Sequence, residues 1–152
     1  MMKTIFEKSM RDELISRVNA LSENNKAIWG KMNVYQMTKH LNIWNQWVLG
    51  IDNNIPYKQD LLGKLIGKMV LKSNTKNDKP MGKGAPAGSN FTIKEEIGDF
   101  EKEKKTLIKL TEHYEHYNNP DFIHGFFGKM TEEQIGIFAY KHYDHHLRQF
   151  GV

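Results

Sequence analysis

Apolar positions recur along this chain at three- and four-residue intervals, the spacing of one face of an α-helix. Phe6, Met10, Leu14, Val18 and Leu21 set the first such stripe. With Ser9 available as N-cap, they predict a helix from about residue 9 to 23. A loop follows through SENNKAIWGKM, broken at Gly30. Asn33 then stands three residues before Gln36, an Asn variant of the capping box. It opens a second helix whose inward face carries Gln36, Met37, His40, Trp44 and Trp47.

Past the turn-like DNNIP, the run QDLLGKLIGKMVLK predicts a short amphipathic helix. Leu61/Leu62, Leu65/Ile66 and Met69/Val70 lie on its inner side, and Lys64, Lys68 and Lys72 on the other. The following segment, residues 73–91, is rich in glycine and proline, and a loop of that length inside a compact unit is usually functional. As a flap near the end of the helices it would help cover a pocket. Thr92 and Glu95 have capping-box spacing and predict a third long helix, with Ile93, Ile97, Phe100, Leu107, Leu110, Tyr114 and Tyr117 inward. Asn118-Asn119-Pro120 ends it. Thr131 and Gln134 repeat the pattern and start a last helix reaching about Gln149. No segment alternates with period two, so no sheet is expected. The expected fold is all-α: one domain over residues 1–152, an up-and-down four-helix bundle with a short additional helix between helices 2 and 3.

Composition narrows the chemistry. There is no cysteine, which excludes disulfide scaffolds, thiolate nucleophiles and Cys-based metal sites. A net charge of +4, without interleaved arginines or aromatics in the lysine stripe, gives no nucleic-acid-binding signature. Lysines four apart on an amphipathic helix are read as its wet face, so no membrane partner is expected either. The GKGAPAG segment lacks the Lys-Ser/Thr ending of a phosphate loop. MMKTIFEKSMRDEL lacks the apolar run of a secretory signal, and a cytoplasmic location is expected.

Six of the seven histidines fall between His113 and His146. His113 and His116, near a helix end, offset the helix dipole and receive no further role. In KHYDHHLRQF, His142 and His146 stand roughly 40° apart and one turn apart. They share a side with Ile135, Phe138 and Gln149, an arrangement able to grip one divalent ion. His145 forms an i, i+3 pair with His142 instead, and periodicity alone does not choose between them. His40 is a candidate third ligand from the second helix. Asp144 is expected to point outward into solvent.

Two segments carry a resemblance. WGKMNVYQMTKHL at residues 29–41 and HGFFGKMTEEQIGIFAYKHYDHHLRQFG at 124–151 are similar to the DinB-like family of four-helix metalloproteins, in particular a branch known only as a domain of unknown function. The resemblance implies a metal held by one His of the second helix and a His-x-x-x-His pair of the last. Carried onto this chain, these are His40, His142 and His146, in preference to His145. The common family form continues with Arg-Gly-Gln after the last ligand, where this chain has Leu147-Arg148-Gln149. The resemblance implies zinc or nickel, with iron or manganese as alternatives, and a metal-dependent thiol transferase or hydrolase acting on a small molecule; open coordination positions are compatible with such chemistry. A helical module holding a metal or small ligand without turnover is the other reading, because no glutamate lies on the ligand faces. His124, Gln149, Gln36, Trp44 and His145 are candidates to orient ligands or line the pocket. A homodimer is expected from the relatives.

Overall fold

A computed structural model describes residues 1–52 and 54–152. The chain is predominantly helical. Five α-helices run over Lys8–Ala20 (α1), Val34–Val48 (α2), Leu61–Thr75 (α3), Phe100–His113 (α4) and Glu132–Gln149 (α5). Single 3-10 turns occupy Ser89–Phe91 and Tyr114–His116. Contrary to the expectation of no sheet, the described residues include a two-residue antiparallel ladder, Ile123–His124 (β1) against Gly128–Lys129 (β2), in the register Ile123 to Lys129 and His124 to Gly128. α4 packs on α2 and α1, and α5 on α1, α2 and α3. Among the described residues no helix is long and apolar enough to cross a membrane.

Both helices that carry the candidate ligands start where their side chains dictate. Asn33 and Gln36 form a reciprocal capping box, and Thr131 and Gln134 form another, so the first turns of α2 and α5 have satisfied donors. α5 is the central element: Ile135, Phe138, Ala139, Tyr143 and Leu147 are all buried, and so is Gln149 near its end.

Three further expectations are corrected. α1 begins at Lys8 and is preceded by Glu7, which makes no side-chain cap, so Ser9 lies inside the helix. The third long helix does not open at Thr92. Its N-cap is Asp99, whose side chain accepts from the Lys102 amide at 2.9 Å. The carbonyls of Ile93 and Glu96, which a longer helix would use in its own ladder, are taken instead by the side-chain amides of Gln36 (3.2 Å) and Asn33 (2.7 Å). Gly98 lies against the Tyr35 ring, where no Cβ fits. Ile97 is consequently in solvent.

The third correction concerns α3, which has 15 residues, as many as α2, and is turned over relative to the expected orientation. Its buried positions are Gly63, Gly67 and Leu71. Leu61, Leu62, Leu65, Ile66 and Met69 all face outward. The glycines are the cause: a Cβ at either position would meet the Phe126 carbonyl oxygen. Backbone therefore packs on backbone along that side. Gly67→Ala is expected to destabilise the chain by about 1–3 kcal/mol, the overpacking cost exceeding the roughly 1 kcal/mol gained in helix propensity. Gly82→Ala, in open space, should be near neutral. Urea unfolding of the two variants measures the difference, and equal midpoints would show that α3 is free to shift.

Candidate metal centre

α2 and α5 bring three imidazoles together. His40, His142 and His146 are 2%, 8% and 7% exposed, and each offers a ring nitrogen within 4.8 Å of the other two. His40 Nε2 and His142 Nε2 are 3.2 Å apart. Two nitrogens bound to one zinc ion at about 2.0–2.1 Å subtend roughly 3.3 Å at the tetrahedral angle, so this pair already has ligand spacing. Ring centroids lie 4.8 Å apart for His40 and His146, and 4.9 Å for His142 and His146.

Two of the rings have their tautomers set from behind. His40 Nδ1 lies 2.8 Å from the Phe91 carbonyl oxygen, which can only accept. The proton therefore sits on Nδ1, and the Nε2 lone pair faces the cluster. His146 Nδ1 lies 2.9 Å from Gln149 Oε1. The Gln149 amide nitrogen donates to the Trp29 carbonyl at 2.8 Å, which orients the side-chain oxygen towards His146. This is the arrangement by which histidine ligands are held in metal sites. His142 differs. Its buried Nδ1 has no hydrogen-bond partner, and the ring lies between Trp44 (centroids 4.5 Å, edge-on) and Phe138 (6.2 Å, stacked).

Burial makes all three imidazoles poor bases. It holds His40 below its ordinary value despite the Phe91 hydrogen bond, lowers His142 well below with help from the neighbouring rings, and brings His146 to about 3. At neutral pH the cluster therefore presents neutral nitrogens to a cation. Among the described residues no carboxylate belongs to it.

The other candidates separate clearly. Gln149 Oε1 lies 2.9 Å from His146 Nδ1, and the Trp44 ring lies edge-on to His142. His145 is outside the cluster, half-buried and edge-on to Trp29 (5.8 Å). It borders a cleft of about 420 Å³ lined by Trp29, Met81, Lys83 and Arg148 among others. Lys83 lies over the Trp29 ring at 4.2 Å. Gln36 faces the 92–98 segment and touches none of the three rings through its hydrogen bonds. His124 accepts from the Phe126 and Phe127 amides (3.1 and 3.2 Å) and so orders the β1–β2 turn. Asp144 is not solvated as expected: it receives Arg17 and Arg148, each at 2.8 Å.

Sequence reasoning missed the Phe91 and Trp29 carbonyls, since a backbone oxygen leaves no mark in side-chain pattern. It missed Arg11 as well, a buried guanidinium donating to the Ile5 and Phe6 carbonyls (3.2 and 2.7 Å). The 73–91 segment does reach this region, through Phe91 at His40 and Met81 at the cleft.

These features define a class: a helical protein with a cluster of three buried histidines, two of them oriented from behind by carbonyl oxygens. The chain belongs to the family described as protein of unknown function, DUF1569, whose model matches residues 5–151. Neither the curated proteins nor the solved structures contain a match to it.

Proposed function

We propose that the chain is a divalent-metal protein of DinB-like type, a single domain in which α1, α2, α4 and α5 form a four-helix bundle. In this reading His40, His142 and His146 hold the ion. The observation that carries the proposal is that each of the three buried imidazoles offers a nitrogen within 4.8 Å of the other two, while an acceptor occupies Nδ1 of both His40 and His146. An all-nitrogen set of neutral imidazoles suits zinc or nickel, and accommodates iron or manganese. When bound, such an ion supplies a Lewis acid able to acidify water or a small thiol. The residues around it do the rest. Phe91 and Gln149 orient the ligands, while Trp44 and Phe138 keep water from His142. Three ligands leave coordination positions for water or substrate, which supports a thiol transferase or a hydrolase acting on a small molecule.

A second reading has an observation of its own. All three residues are under one-tenth exposed, and among the described residues no carboxylate joins the cluster to act as a base. That favours an ion that joins α2 to α5 without turnover. One experiment separates the two. The chain loaded in turn with zinc and nickel is assayed for coupling of a small thiol to an electrophilic chlorodinitrobenzene, and for hydrolysis of an activated ester. Metal-dependent turnover that disappears in His40→Ala supports the enzyme. Full metal occupancy with rates equal to buffer in both assays supports the module.

A further inference from the structure

The apolar face of α3 has no partner among the described residues. At 100° per residue, Leu61, Leu62, Leu65, Ile66 and Met69 cover an arc of roughly 140°. They are 80%, 58%, 81%, 37% and 68% exposed. The opposite side, Gly63, Gly67 and Leu71, is buried. The glycine pair fixes this rotation, because rolling the helix would drive a leucine into the Phe126 backbone. Exposure of the leucines is thus a consequence of the packing, in a type of patch that marks interaction sites.

Charge selects what can cover it. Lys64, Lys68 and Lys72 form a row along one edge of the apolar arc. Lys68 donates to the Lys129 carbonyl. Lys64 and Lys72 are exposed and pair with no acidic group among the described residues. No acidic residue occurs from Leu61 to Asn77. Residues 58–79 hold six lysines and two aspartates, a net +4 that equals the charge of the whole chain. A second copy docked antiparallel would set this lysine row against itself. Docked parallel, the row would meet the other edge, which bears Ile66, Val70 and Ser73 and offers no carboxylate. The face is also small. A helix about 22 Å long and roughly 10 Å across falls well short of the about 800 Å² per partner of a standard protein interface.

An anionic lipid surface meets both requirements. Leucine and methionine side chains enter the headgroup–acyl boundary, while the lysine stems lie along the apolar edge and carry their ammonium groups to the phosphates. We propose that α3 attaches the protein peripherally to an anionic lipid surface, with its axis in the plane of the interface. This does not rest on the metal centre. It replaces the expectation that the lysines are only a wet face, which required the leucines to be inside.

Flotation of the full chain with lipid vesicles tests the proposal. Vesicles of phosphatidylcholine are compared with vesicles in which part of the lipid is phosphatidylglycerol, at low and high salt. Binding is expected only to the phosphatidylglycerol vesicles, and is expected to fall at least tenfold at high salt. Leu65→Glu/Met69→Glu should abolish it, and Lys64→Glu/Lys72→Glu should weaken it tenfold or more. All four positions are solvent-exposed, and an unchanged circular dichroism spectrum verifies that each variant folds. His142→Ala should bind the vesicles like the parent chain. The proposal is overturned if the chain stays unbound with phosphatidylglycerol, or if it binds neutral vesicles equally. It is also overturned if the chain sediments as a dimer that Leu65→Glu/Met69→Glu makes monomeric.

Discussion

Replacing His142 with alanine is expected to lower zinc affinity by a hundredfold or more, and to remove the thermal stabilisation that zinc confers. His142 Nε2 lies 3.2 Å from His40 Nε2, so it contributes half of the pair that already has ligand spacing. A ligand in thousandfold excess over its dissociation constant stabilises the folded state by about 4 kcal/mol. The variant should lose most of that. Its metal-free form should suffer less, because the ring it lacks had an unpartnered Nδ1. Gln149→Leu provides a graded comparison. It keeps all three imidazoles but frees His146 to take the other tautomer, and is expected to cost about tenfold in affinity. Competition against a chromophoric chelator measures both variants, and melting with and without zinc measures the stability. Zinc binding by His142→Ala at parental strength would remove His142 from the site.

Much of this site was legible because its two helices announce themselves. Capping boxes at Asn33 and Thr131 fix where α2 and α5 begin, and from there 3.6 residues per turn puts His40, Trp44, Phe138, His142 and His146 on buried faces. Periodicity left His145 and His146 level; in the structure His146 is buried beside Gln149, whereas His145 rests at the edge of the cleft.

Two of the failures share a cause. At α3 and at residues 92–98, local patterns that are valid in themselves were overridden by a tertiary partner. Six apolar residues on one side of α3 read as a core face. Two glycines on the other side allow backbone to approach the Phe126 peptide, and that contact wins. Thr92 and Glu95 have capping spacing, yet the carbonyls that would continue such a helix are already bound by Asn33 and Gln36. Neither competitor lies within the segment it overrules. A reading confined to local windows had no access to them.

The same burial that makes the imidazoles good ligands should make the metal-free protein sensitive to acid. His124 is lowered to about 4 and His146 to about 3, in both cases chiefly by burial, and His40 and His142 are lowered as well. In the unfolded chain each titrates near 6.5. Above that value a histidine is neutral in both states and has no effect on the pH dependence. Below it, the unfolded chain binds a proton that the folded chain refuses, so stability falls as pH drops from 6.5 towards each folded value. At about pH 4.5 the difference amounts to roughly 2–3 kcal/mol for His146 and a similar figure for His124. With His40 and His142 adding in the same direction, the total reaches the range of a whole domain's stability, about 5–15 kcal/mol. Helicity of the chelator-treated protein is therefore expected to collapse above about pH 4.5. Zinc should displace the transition to lower pH, because a coordinated imidazole must lose its metal before it can take a proton. Circular dichroism followed from pH 7.5 downward, with chelator and with zinc, reads both transitions. A metal-free protein that keeps its helices at about pH 4 would mean that the rings are wetter than their packing against Trp44, Phe138 and Phe127 implies.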